Sequence, residues 1–263
     1  MQYEYRTVSV LKDAARGSLM GNYGRAIGIT LSQLLFPYFA NFIGAELEYS
    51  LRGMLTRSGK TLSVTADLAL TGAGYLLTSF LLVIASVCMA GVALFYLNLM
   101  TGHRPQISDF YYGFQTRFGD FLAIAAALEV PALVATLPYY ICFYMVQSMG
   151  ASFDTWILVA LFALGLLVRL LMALLIGPAF YLALDFPDLT PAQVLKRTFL
   201  KLKGSRLRLL KLMLSFLPMM VLGACSFGIG LLWVEVYYRT ALTGFYLDLM
   251  NPKVISGTFD RTV

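Results

Sequence analysis

Charge is scarce in this chain. Asp, Glu, Lys and Arg together make up 13% of the residues, against about 25% in soluble globular domains, which is too little to clothe a water-facing surface. Histidine occurs once and cysteine three times in 263 residues. His103 stands apart from any Cys, His or carboxylate partner at metal-ligand spacing, which removes the common zinc sites. Cys88, Cys142 and Cys225 fall inside apolar runs without paired spacing, as small buried hydrophobes do. Phosphate-binding Gly-Lys-Ser/Thr loops, serine hydrolase elbows and zinc protease helices are missing too. No cofactor and no catalytic or metal-binding residue is therefore expected, and the chain reads as a non-enzyme.

Apolar residues are abundant instead. Hydrophobic side chains make up 59% of the chain and aromatics 14%, a membrane composition. A helix rises about 1.5 Å per residue, so about 20 uncharged residues cross a hydrocarbon core of about 30 Å. The run at 26–45, between Arg25 and Glu46 with Pro37 and Asn41 inside, is a full span rather than the short core of a signal peptide. Further spans are expected near 72–100, near 121–146 and between Asp154 and Asp185, the last two joined by the short loop "QSMGASFDT". The stretch 212–247 is too long for one crossing, and "GACSFGIG" offers three glycines for a break. It divides into spans near 209–224 and 229–249, for a total of six, with five as the alternative.

Lys and Arg set the expected orientation. With six spans and the N terminus inside, cytoplasmic segments hold fifteen and outer loops three (Arg52, Arg57 and Lys60), so both termini are placed in the cytoplasm. The densest cluster is Lys196, Arg197, Lys201, Lys203, Arg206, Arg208 and Lys211 in "KRTFLKLKGSRLRLLKLML". Leu195, Phe199 and Leu202 recur there at helical spacing and an apolar run follows. The segment reads as an interfacial helix whose cations meet anionic lipid headgroups. Membrane lipids are the expected partners, with a second membrane protein as a further one, and nucleic acid is not expected.

The same prelude occurs three times. A cap-type residue (Ser9, Ser108, Thr190) opens a short amphipathic stretch, and a glycine (Gly21, Gly119, Gly204) precedes the next apolar run. The chain is thus read as one all-α membrane domain over 1–263. It comprises three units, about 7–100, 105–184 and 188–250, each an interfacial helix and a two-span hairpin, with 251–263 as a cytoplasmic tail. "GRAIG" has the small-residue spacing of close helix contacts. Four charges fall inside spans: Glu129, Arg169, Glu235 and Arg239. Such groups are costly in lipid and mark either internal ion pairs or a polar site. Glu129 and Arg169 are placed to pair across a hairpin, and Glu235 and Arg239 lie four apart on one helix face.

Particular words also carry a resemblance. "GNYGRAI" at 21–27, "FYLNLMTGHRP" at 95–105 leading into "SDFYYGF", "ALDFPDLTPAQVLKRT" at 183–198 and "GIGLLWVEVYYRTALTGFYLDL" at 228–249 resemble the bacterial integral membrane family domain of unknown function 975 (DUF975). That family is similar in turn to the membrane domain attached to some glycerophosphodiester phosphodiesterases. The resemblance implies a six-span protein of the bacterial cytoplasmic membrane, with no assigned reaction. In the family the last span is usually uncharged with a proline near Val236, so Glu235 and Arg239 depart from its pattern. Three functions are weighed: foremost a non-catalytic scaffold or accessory subunit, next a transporter or lipid-handling protein, including one conferring tolerance to membrane-active peptides, and last an intramembrane enzyme, whose chemistry is not visible in the residues. In the second, Pro37, Pro131, Pro138, Pro178 and Pro218 would break helices around a polar site.

Overall fold

The structure is a computed structural model that describes residues 5–57, 63–149 and 152–251. Lys60, Lys253, Arg261, the tail 252–263 and the middle of the "QSMGASFDT" loop lie outside the described residues. Those described form helices and connecting turns, without strands. A short α1 (Val8–Leu19) leads into a long α2 (Tyr23–Thr56), and α3 (Val64–Ala85) with α4 (Cys88–Met100) returns. A 3-10 turn (Ile107–Tyr111) and α5 (Tyr112–Gln115) lead into α6 (Phe118–Met149), and α7 (Thr155–Ile176) with α8 (Ala179–Asp185) returns. Next come α9 (Pro191–Leu202), α10 (Arg206–Leu214) with α11 (Leu217–Cys225), and α12 (Ile229–Met250).

Among the described residues, five helical paths are long and apolar enough to cross a bilayer: Tyr23–Thr56, Thr65–Met100, Phe118–Val146, Thr155–Asp185 and Arg206–Cys225. The 22-residue α12 has the length, but Glu235, Arg239 and Asp248 dilute its apolar character. Beyond its first turns, which expose Ile229, Leu231 and Trp233, it runs inside the bundle. Its residues Val236, Ala241, Phe245 and Tyr246 are buried, and it packs against α1, α2, α4, α10 and α11. With α4 it joins both buried clusters of the bundle. By contrast α2 and α7 expose Leu34, Phe39, Phe42, Leu166 and Leu171, which suits a surface solvated by acyl chains.

Local chemistry explains the short helices and corrects several expectations. At Thr190 the cap is as read: its hydroxyl accepts from Gln193 N–H at 3.4 Å, Gln193 answers the Thr190 N–H at 3.2 Å, and Pro191 fills the first turn. The other two starts lie earlier than Ser9 and Ser108. α1 begins after Thr7. The 3-10 turn begins after Gln106, whose N–H donates to Asp109 at 3.1 Å. Gly21 (φ 81°) and Gly204 (φ 109°) make the left-handed turns that follow α1 and α9. Gly119 does not play that part, because α6 already includes it. The left-handed residue there is Arg117 (φ 46°), held by Asp120 at 2.7 Å and the Leu189 carbonyl at 2.9 Å.

"GRAIG" is not a close helix contact: a Cβ on Gly24 would meet nothing within 4 Å and one on Gly28 only Ile107 at 4.0 Å. Close approach occurs at Gly44, Gly91 and Gly165, where an added Cβ would lie 2.0–2.2 Å from Thr78, the Phe110 carbonyl and Thr136. Prolines 37, 131 and 138 sit inside unbroken helices. Asn41 donates to the Pro37 carbonyl at 2.8 Å. The interruptions fall at Pro178 and just before Pro218. Of the cysteines only Cys88 is buried, whereas Cys225 is exposed on the apolar surface.

Candidate ligand-binding cleft

Glu129 and Arg169 do meet, as an ion pair between α6 and α7. They meet at the edge of the bundle, with the Arg169 side chain 58% exposed, not at its centre. Antiparallel packing brings them level, and each removes the other's cost of facing lipid. Glu235 and Arg239 pair at 2.7 Å along α12. There Arg239 also approaches the Met89 sulfur at 3.5 Å, so this pair ties α12 to α4.

The basic cluster divides. Lys196, Arg197, Lys201, Lys203 and Lys211 are exposed, and Arg197 and Lys201 border a cavity of about 390 Å³ with Leu182, Phe186, Leu200 and Met250. Arg206 folds over Phe199 at 4.4 Å from the ring centre. The face of α9 turned to the protein is Val194, Thr198 and Leu202, one step round from the expected stripe, and Phe199 is exposed. Arg208 turns inward to an ion pair with buried Asp248. It also donates to the Arg6 carbonyl at 2.8 Å, and the Arg6 N–H donates to Asp248 at 3.3 Å. This clasp fastens the segment before α1 to α12. Lys12 adds a second tie: its ammonium reaches the Ser215 carbonyl at 2.8 Å and the Phe216 ring at 4.3 Å, and burial lowers its pKa.

One sequence signal escapes a reading by spans. Phe-Tyr-Leu-x-Leu stands at 95–99, 180–184 and 245–249, and each Phe, Tyr and first Leu is buried. These words close α4, α8 and α12. The 3-10 turn and α5 pack on α4, α9 on α8, and α1 on α12. The tyrosines fix neighbours: Tyr96 to Thr30 at 2.8 Å, Tyr181 to Thr243 at 3.1 Å, and Tyr246 to Asp185 at 2.5 Å.

A larger polar group with open space beside it lies at the far end of α2. α2 continues past Glu46, and after about 25 residues from its start, some 38 Å, it presents Glu48 and Arg52. Arg52 bonds Glu48 at 2.9 Å and Thr71 at 3.0 Å and pairs with Asp67 in the first turn of α3. Tyr144 of α6 donates to Asp67 at 2.6 Å, and Tyr75 donates to the Leu133 carbonyl at 2.6 Å in the turn before Pro138. Glu48, Arg52, Thr71, Tyr75, Leu133 and Tyr144 line a cavity of about 390 Å³ between α2, α3 and α6, with Asp67 behind Arg52 and Tyr144. Beside it a second cavity of about 500 Å³, with Leu68, Leu76, Leu137 and Ile141, shares Thr71, Tyr75, Tyr140 and Tyr144. A charged chamber thus adjoins an apolar one at the end of the bundle remote from α1 and α9. Charge ends a lipid-facing run without ending a helix, so Glu48 and Arg52 lie on α2 and Asp67 on α3 rather than in the outer loop. The i, i+4 spacing of Glu48 and Arg52 and the Ser63 cap before Asp67 are the signs of helix in the sequence.

Fold and site define an all-helical protein carrying five helices fit to cross a membrane, with a half-polar, half-apolar cleft. Among the described residues no three His, Cys, Asp or Glu side chains gather as metal ligands. The chain belongs to the family described as protein of unknown function (DUF975), whose pattern matches residues 3–253. Comparison with curated proteins and with solved structures gave no match.

Proposed function

We propose that this protein is a non-catalytic, multi-pass component of the bacterial cytoplasmic membrane that binds an amphipathic molecule in the cleft at the end of α2, α3 and α6. The observation that carries the proposal is the adjacency of the two cavities. Arg52 and Glu48, with Asp67 paired to Arg52 from behind, make one chamber polar, and the apolar chamber opens next to it. A molecule with a head and a tail matches both, and the volumes fall in the range of ligand pockets. The lipid-handling reading is thereby preferred to the scaffold. The site expected for it moves from Glu129 and Arg169, which border neither cavity, to Arg52 and its partners.

The wider architecture we propose is six spans in three units with both termini cytoplasmic. The recurring Phe-Tyr-Leu-x-Leu word and the docking of each short helix on such a word support it, closing a ring in which α1 meets the last helix. Orientation rests on the Lys and Arg excess, and α9 lies against anionic headgroups through Lys196, Arg197, Lys201 and Lys203. The proposal stands on the cleft, independently of the likeness to the membrane domain of glycerophosphodiester phosphodiesterases. A scaffold remains the second reading, favoured by the interlocked end built from α1, α10 and α12.

Native mass spectrometry of protein released gently from its own membrane tests the proposal. A retained amphipath that is lost when Ala45→Trp fills the cleft supports it. A stoichiometric protein partner without any such molecule transfers support to the scaffold. Cysteine labelling checks topology: Ser226 reactive from outside and Thr101 from inside are expected, and the same side for both refutes six spans.

A further inference from the structure

Building on that reading of the cleft, we infer that its ligand is an amphipath with a cationic head, an alkylammonium or a lipid presenting an amine or trimethylammonium group. Glu48 and Arg52 are the charged residues among the described lining of the two cavities, and Asp67, outside the lining, backs them by pairing with Arg52 and accepting from Tyr144, so that this group of three carries two negative charges and one positive. One negative charge is left over. In a part-buried cleft, where screening is weaker than in bulk water, that surplus attracts a cation and repels a sulfate or phosphate.

The aromatic lining points the same way. Tyr75, Tyr140 and Tyr144 border both chambers, and the Tyr75 and Tyr140 rings lie 4.8 Å apart at 54°. Tyrosine faces attract ammonium groups, quaternary ones in particular. The hydroxyls of Tyr75 and Tyr144 donate to the Leu133 carbonyl and to Asp67, which holds these two rings at the junction of the chambers. Leu68, Leu76, Leu137 and Ile141 then receive the tail. Gly74 keeps the head chamber open: a Cβ there would lie 2.6 Å from a Glu48 carboxylate oxygen.

The test uses the full chain in nanodiscs of zwitterionic lipid, with three probes of equal chain length: dodecyltrimethylammonium, dodecyl sulfate and dodecanol. Occupancy is read by native mass spectrometry over a probe titration. The trimethylammonium probe is expected to bind at least about tenfold more tightly than the sulfate. Glu48→Gln with Asp67→Asn leaves Arg52 uncompensated and should reverse that order. Tyr140→Leu, which keeps every charge, should weaken the cation by about threefold to tenfold and leave dodecanol unchanged. It serves where the charge variant fails to fold. Equal or tighter binding of sulfate or dodecanol to the unaltered protein overturns the cationic assignment while leaving an amphipath-binding cleft. Absence of binding by all three overturns both.

Discussion

Asp248→Asn tests whether the clasp on α12 holds the bundle together. The Asp248 side chain is 2% exposed and that of Arg208 17%, so the pair is buried, and Arg6 adds its N–H and an approach of its guanidinium at 4.0 Å. Asparagine keeps the shape but removes the charge and turns an amide donor toward guanidinium donors. Removing one partner of a buried pair costs about 3–5 kcal/mol, because the other charge stays buried. At roughly 2–4 °C per kcal/mol for chains of this size, the melting midpoint should fall by on the order of 10 °C. The assay is thermal unfolding in maltoside micelles followed by circular dichroism. Arg208 also meets the rings of Tyr5 and Phe245, each at 5.0 Å, so Arg208→Met keeps much of the packing. Arg208→Met with Asp248→Leu replaces charge by apolar volume and should restore most of the lost stability. A fall below about 3 °C for Asp248→Asn, or a double variant as unstable as the summed single changes, refutes the reasoning.

Gly165→Ala should destabilise by about 1–3 kcal/mol, since the new Cβ would lie 2.0 Å from Thr136. Gly24→Ala, with nothing within 4 Å, should be neutral or slightly stabilising, and paired melts compare them. Glu129→Gln alone should cost at least as much stability in micelles as Glu129→Gln with Arg169→Gln, because the single change leaves an unpaired cation on the apolar surface; additive losses would show the two do not couple. Arg197→Gln and Lys201→Gln should each weaken association of α9 peptides with anionic vesicles by about 1 kcal/mol, measured by sedimentation, with no change on neutral vesicles.

The legible parts of the sequence were those set by neighbours along the chain or by simple registry. Thr190 and Gln193 form their capping box, Glu235 and Arg239 pair one turn apart, and Glu129 meets Arg169 because a tight hairpin leaves little choice of register. Arg208 was not separable from its basic neighbours. Its partner Asp248 lies 40 residues away, and only the docking of α10 and α1 on α12 brings the two together. The cleft was hidden for a different reason. Charges end a lipid-solvated span but do not end a helix, and α2 carries its backbone bonds ten residues beyond Glu46 to Thr56, with the Glu48 and Arg52 pair on that extension. The recurring Phe-Tyr-Leu-x-Leu word lay in plain view, since it needs only self-comparison of the chain.

The case of α12 separates two quantities that hydropathy merges. An apolar run reports that a helix meets lipid, not that it crosses. α7 is apolar except for Arg169 and scarcely buried, whereas α12 carries Glu235, Arg239 and Asp248 and is ringed by α1, α2, α4, α10 and α11. A ringed helix satisfies its polar groups within the protein: Arg239 through Glu235, Thr243 through Tyr181, Asp248 through Arg208. Those bonds in turn fix which neighbours it accepts. The polar residues that lower its hydropathy are thus the ones that place it at the centre, and the Phe-Tyr-Leu-x-Leu word at its end supplies the surface on which α1 docks.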